Sequence, residues 1–463
     1  MGAKDNPQVT KLLAQFASDL KFEDLPDAAV DRLKYCLLDT VGCGLFGSTL
    51  RWGEIISEFA EEMHGEPEAS TWGSAAMVGA QDATLANGTM VHGFEIDDLH
   101  KDSIVHLGSV AIPPVLAMAE RQGGIDGRQF ITAIAAGYEV GARIGMGVGI
   151  PHFHRGFHPT GTAGAFAAGA ATGRLLGLDH EGMIHALGIS GTQGAGLMAA
   201  QFSAMVKRMH AGRAAQSGLY GGLLARMGFT GITDIVEAKF GGFSSSMSET
   251  YDLEKMIGGL GEDLEILNVG FKPYASVGVS HTPLDAIKAI KETNGLGPDD
   301  IEKVKMRTNR MAIVHAGWEY IPDAITTAQL NLYYVLSAMI EEGHAFVDQF
   351  TESQIRNPQI LRHIPKIEII HEPQFDSLPQ ELRHRVIIEI TTTDGRKFDM
   401  SIDHATGSHK NPMTPDEIVE KYRLLASKVF PQDRVKEIES TVLAIEDEAD
   451  VSRLGQLLRT DEV

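Results

Sequence analysis

From the N-terminus to about residue 265 the chain repeats one theme: helical segments whose faces are built largely from glycine and alanine. GYEVGARIG (137–145), TAGAFAAGAATGRLLG (162–177) and GRAAQSGLYGGLLARMG (212–228) are examples, and LPDAAVDRLKYCLLDTVGCGLFG (25–47) carries apolar residues at three- and four-residue spacings. That periodicity predicts helices. Small residues let one helix backbone approach another closely, so the pattern predicts a dense helical bundle. In a membrane, spacings such as Gly164, Gly169 and Gly173 would indicate helix dimerisation, but no apolar run here reaches the ~18 residues of a span. These glycines do not follow a strand, so no dinucleotide-binding fingerprint is present.

After about residue 266 the pattern changes. HTPLDAIKAIKETNG reads as a helix, IEKVKMRTN as a strand, TTAQLNLYYVLSAMIEEG as a helix and KIEIIHE as a strand. RVIIEITTTDGRKFDMSID has β-formers on both sides of Asp394-Gly395, a hairpin signal. TPDEIVEKYRLLASKVF returns to helix, with a Thr414 cap and Glu417 three residues on. The predicted fold is mainly α: a large all-helical domain at 1–266, completed by 409–463, with a smaller inserted α+β lid domain at 267–408.

Acidic residues number 62 against 40 basic ones, for a formal charge of -22. Such a surplus argues against nucleic acid and against an anionic membrane surface as partners. An anionic ligand would need a local basic island, which makes clusters of Lys, Arg and His informative. Cys36 and Cys43 lie in an apolar stretch, as small hydrophobes of a reducing compartment do. The N-terminus lacks the apolar core of a signal peptide, and MGAKDN has Asn6 where a myristoylation pattern has Ser or Thr. The expected location is cytoplasmic.

Five segments mix charge or histidine with small residues. HGFEIDDLHKDSIVH (92–106) holds Glu95, Asp97, Asp98 and His106. Its acids and imidazoles invite a metal reading, but no HExxH, cysteine set or EF-hand spacing is present, and no metal is expected. PHFHRGFHPTGTAG (151–164) sets His152, His154, Arg155 and His158 before a helix starting near Thr160, where free N–H groups suit a carboxylate. MVKRMHAGRAAQSG (205–218) places Lys207, Arg208, His210 and Arg213 ahead of a helix whose first turn is expected at Gly212. GFKPYASVGVSHTPLDA (270–286) brings Lys272 and His281 to the expected domain junction, and HAGWEYIPDAITTAQLNLYY (315–334) adds Tyr320 and Asp323. Each also has a plainer reading as a solvated turn, a basic surface loop or core.

These segments, with ANGTMVHGFEIDDLH, ALGISGTQGAGL, KRMHAGRAAQSGLYGGLLARMGFTG and Asn411-Pro412-Met413, resemble the MmgE/PrpD family in order and spacing along nearly the whole chain. The family includes 2-methylcitrate dehydratases, cis-aconitate decarboxylases and iminodisuccinate epimerases. The resemblance implies a helical domain with an inserted lid, a homodimer, a small polycarboxylate substrate, and no metal or other cofactor. Carried over by position, it implies catalytic roles for His106, His158, Lys207 and Lys272 and substrate contacts from Glu95 and Leu99, with His281 a looser match; the chemistry of the segments adds Asp98 to the catalytic set and Arg208 and Tyr320 to the substrate contacts. Glu95 and Leu99 stand where the decarboxylases carry Asp and Thr, and Leu107 follows His106 in place of Pro. Those departures point away from cis-aconitate, and the leading expectation is a hydro-lyase of the 2-methylcitrate dehydratase type. Epimerase, decarboxylase and a non-catalytic carboxylate-binding protein are the alternatives. In the expected division of labour, lysines stay charged and hold carboxylates while His158 moves the proton.

Overall fold

A computed structural model describes residues 7–201 and 204–461; the MGAKDN reading lies outside them. The glycine- and alanine-rich segments form long helices, among them Asp27–Ser48, Ala80–Val91, Leu107–Gln122, Gly127–His154, Pro159–Leu175 and Val206–Arg226. No helix of the described residues is long and apolar enough to cross a membrane.

The Pro159–Leu175 helix is almost wholly buried and the Val206–Arg226 helix buries one side, where their small residues meet neighbouring backbone. A Cβ on Gly88 would lie 2.8 Å from the Cα of Gly212, and one on Gly218 would strike the backbone at Ala168 and Gly169. Helices this close lose their packing if either glycine gains a side chain. The Val206–Arg226 helix starts earlier than the sequence predicts. Lys207 and Arg208 therefore sit in its first turn, and Gly212 serves a helix crossing instead of a helix start.

The strands at Ile301–Thr308, Ile367–His371, Val386–Thr392 and Lys397–Ile402 form one four-stranded sheet. Ile367–His371 runs parallel to Ile301–Thr308, and the other pairs are antiparallel. Val386–Thr392 and Lys397–Ile402 make the expected hairpin around Asp394-Gly395, with Gly395 at φ 87°. The expected helix across 326–343 is two, Ile325–Gln329 and Leu332–Glu342, because the Asn331 side chain accepts from Tyr334 N–H and caps the second. Thr414 and Glu417 form the predicted capping box on Pro415–Ala426. Leu99–His100 pairs with Val269–Gly270 in a two-residue ladder, Leu99 opposite Gly270. That pairing ties the acidic loop at 95–98 to Lys272.

Candidate functional site

One cavity of about 110 Å³, part of it open to solvent, is where the histidine- and charge-bearing segments meet. Glu95, Leu99, His106, His158, Lys207 and Lys272 line it, alongside apolar side chains such as Ile104, Phe153, Val279, Met311 and Leu330.

Glu95 is the hub. Its Oε1 accepts from Lys207 and, at 2.7 Å, from Arg208 Nη1; its Oε2 accepts from Lys272 Nζ at 3.1 Å. All four side chains are buried. Burial alone would raise the Glu95 pKa, but Lys207, Lys272 and Arg208 overcome it and hold the carboxyl well below its usual range. Burial lowers Lys207, against the pull of Glu95. Arg208 also donates to Gln329 Oε1 at 3.1 Å, and Gln329 donates to the Phe94 carbonyl at 2.7 Å, which braces the loop. Three cations share one carboxylate, so the cluster keeps a positive excess for an anionic ligand.

Beside it stands a group of imidazoles around Asp97. His92 Nδ1 lies 2.9 Å from Asp97 Oδ2, and His106 Nδ1 lies 3.1 Å from Oδ1, off the ideal hydrogen-bond axis. Burial would raise Asp97; His106 and His92 hold it well below the usual range. His92 is pushed down to about 3 by burial, against the pull of Asp97. Its ring centroid is 4.6 Å from that of His106 and 5.3 Å from that of His158. His158 Nδ1 meets His210 Nδ1 at 3.1 Å. Burial, reinforced by Lys207, holds His158 well below its ordinary value, so this imidazole is neutral at pH 7. His158 holds the N-cap position of the Pro159–Leu175 helix, whose start the sequence predicts near Thr160, but its side chain makes no cap hydrogen bond.

His92, Asp97 and His106 each offer one possible metal-ligand atom, and those atoms lie within 4.8 Å of one another. One Asp97 oxygen is hydrogen-bonded to His92 Nδ1, whereas the other and His106 Nδ1, 3.1 Å apart, make no hydrogen bond.

Asp98 faces the other way. Its Oδ2 accepts from the Tyr138 hydroxyl at 2.7 Å and its Oδ1 from Gly108 N–H at 2.9 Å. It anchors the start of the Leu107–Gln122 helix and thereby positions His106, the residue before it. His281 lies behind Lys272 with Nε2 3.2 Å from the Ser276 carbonyl, and burial holds it at about 3. Tyr320 lies off the cavity, donating to the Ile355 carbonyl at 2.8 Å and stacking on Tyr334. Sequence reasoning passed over Arg383, His384 and His315, which also line the cavity. RHRV reads as an ordinary strand start and carries no spacing signal.

Two non-glycine residues of the cavity wall have left-handed backbones, Glu95 at φ 61° and Ile104 at φ 57°. For a β-branched residue this conformation is strained by about 1–3 kcal/mol, and such strain concentrates at ligand sites.

Family models for the MmgE/PrpD N-terminal domain and C-terminal domain match residues 11–255 and 274–447. The chain is 32% identical to the cis-aconitate decarboxylase-like protein oryM of Aspergillus oryzae, over 97% of each chain. It is 31% identical to a cis-aconitate decarboxylase of Aspergillus terreus, over 97% of this chain and 96% of that one. A mitochondrial 2-methylcitrate dehydratase of Yarrowia lipolytica is 22% identical, over 93% and 86%.

Proposed function

The chain belongs to the MmgE/PrpD family, and on that premise we propose that it decarboxylates a small unsaturated polycarboxylate of the cis-aconitate type. The observation that carries this reading is one buried cavity holding Lys207 and Lys272 together with His106, whose Nδ1 rests against the ionised Asp97. Similarity at 32% to a decarboxylase-like protein and at 31% to a decarboxylase, against 22% for the dehydratase, supports this reading over the hydro-lyase one. Glu95 and Leu99 still depart from the decarboxylase pattern, so the substrate is assigned as a class, and the wall made by Leu99, Ile104 and Val279 offers a hydroxylated skeleton no polar side chain.

In the proposed reaction the C–C bond to one carboxylate breaks and CO2 leaves. The electron pair moves into the conjugated skeleton and onto a remaining carboxylate, whose growing charge faces the Lys207 and Lys272 ammonium groups. His106 Nε2 delivers the proton that makes the new C–H bond, and solvent reprotonates the ring. Asp97 fixes the imidazole's orientation and stabilises its charged form, as a carboxylate does for a catalytic imidazole elsewhere. His158, kept neutral, accepts or donates a hydrogen bond to the substrate instead of protonating it.

Proton NMR in deuterated water tests the reading. Cis-aconitate should disappear with release of CO2 and one deuteron on the product carbon. Dehydration of 2-methylcitrate with cis-aconitate left untouched would restore the hydro-lyase reading, which needs an acid at the leaving hydroxyl as well as a base.

A further inference from the structure

On the same cavity wall, away from the Glu95 cluster, Arg383 is a cation without a counter-ion. Its Nη2 donates to the Lys101 carbonyl at 2.6 Å and its Nε to His384 Nε2 at 3.3 Å. Both acceptors are uncharged: one is a peptide oxygen, and burial, reinforced by Arg383 and Lys101, holds His384 well below its ordinary pKa. Nη1 is buried and has no partner. Asp102 attracts the guanidinium only through space, and no carboxylate among the described residues lies within ion-pairing distance of it.

The group is also held in place from behind. The Asn309 side chain donates to the Arg383 carbonyl, and Thr282 donates to the His384 carbonyl at 2.6 Å. A guanidinium presents its N–H groups as a planar fork that matches a carboxylate. Leaving a buried N–H unpaired is unfavourable unless a ligand completes it. The contrast with Lys207, Arg208 and Lys272 is direct, since those three already share Glu95.

We propose that Arg383 is a carboxylate subsite, with Nη1 binding a further carboxylate of the substrate beyond the one held by Lys207 and Lys272. This rests on the polycarboxylate reading above but not on the reaction assigned there. It makes Arg383 the residue that separates tricarboxylates from dicarboxylates, and His384 the neutral acceptor that orients it.

Calorimetric titration with two unreactive probes tests this: propane-1,2,3-tricarboxylate and glutarate, which lacks only the central carboxylate. The wild-type enzyme should bind the tricarboxylate at least about tenfold more tightly, the scale of one charge-assisted hydrogen bond. Arg383→Gln should weaken the tricarboxylate by about that factor and leave glutarate within about twofold. Arg383→Lys, which keeps charge and loses the fork, should recover part of the preference, and it serves alone if melting shows Arg383→Gln unfolded. Equal wild-type affinity for the two probes, or equal weakening of both by either variant, would overturn the subsite. Should the preference hold and vanish as described while cis-aconitate is not decarboxylated, the reaction assignment fails and the subsite stands. Decarboxylation with an unchanged probe preference in the variants means the reverse.

Discussion

The loop at 95–98 has two sides, and adjacent carboxylates on them end in opposite states. Toward the cavity, Asp97 lies between His92 and His106 and is held ionised, well below the usual carboxylate range. Toward the helix behind, Asp98 meets a phenol and a backbone N–H, and burial pushes it up to about 8. Both are fully buried. What differs is the neighbourhood: imidazoles against Asp97 on one side, and on the other neutral donors together with the Asp39 and Asp97 carboxylates, which add to the rise of Asp98. Desolvation is common to the pair, so the partner alone decides which carboxylate can stabilise an imidazolium.

The largest effect expected from this contrast is at the imidazole that Asp97 supports. His106→Gln keeps hydrogen-bonding capacity but cannot carry a proton, and should lower kcat by about 10²–10⁴-fold, the range of general-acid catalysis. His158→Gln, altering an imidazole already held neutral, should cost less. Steady-state kinetics on the two variants decide it, and a larger loss at His158 would return the proton transfer to that residue.

Lys207→Met removes one of the three cations on Glu95 at similar length. We expect kcat/KM to fall by an amount equivalent to about 2–4 kcal/mol, as when an oxyanion donor is deleted. The same variant should weaken glutarate binding, which separates the charge-holding role from proton transfer. Unchanged glutarate affinity would show that Glu95 fully neutralises the cluster.

Asp97→Asn should lower kcat by roughly 10²-fold while leaving probe affinity nearly unchanged, because it alters the support of His106 and not the cations. If Asp98→Asn gives the same kinetic loss, the two sides of the loop are not distinct.

The smallest effect is on stability. The pKa of Asp98 is raised on folding, so wild type loses stability as pH climbs from the unfolded value of about 4 toward about 8. An asparagine does not titrate and escapes that loss. The Tm of Asp98→Asn relative to wild type should therefore rise between pH 4 and pH 8, by an amount equivalent to at most a few kcal/mol. A flat difference across that window would mean that Asp98 is ionised despite its burial.

Much of this was legible without coordinates, for local reasons. The Thr414 and Glu417 capping box and the hairpin at Asp394-Gly395 depend on residues within a few positions of one another. Gly164, Gly169 and Gly173 were readable as close helix contacts, and a Cβ on them would meet Val110, Ser190 and Met183; the crossing at Gly212, read as a helix start, was not. The histidine at the Pro159–Leu175 cap and the two lysines were readable as a basic island in an acidic chain, and the structure brings them to one cavity.

Other features could not be read in that way. Nothing local distinguishes Asp97 from Asp98 in a run of two acids; the left-handed backbone at Glu95 and the ladder at Leu99–His100 determine which one turns to the imidazoles. Tyr320 is drawn away from the cavity by a carbonyl 35 residues later. The sequence by itself determined the mainly helical architecture, the hairpin and the set of cations, because periodicity, capping and composition act over short spans. Tertiary structure alone decided that Glu95 meets Lys207, Arg208 and Lys272, and that Arg383 is left without a counter-ion. Charge pairing and desolvation depend on which distant side chains are brought within a few ångströms, and no spacing along the chain encodes that.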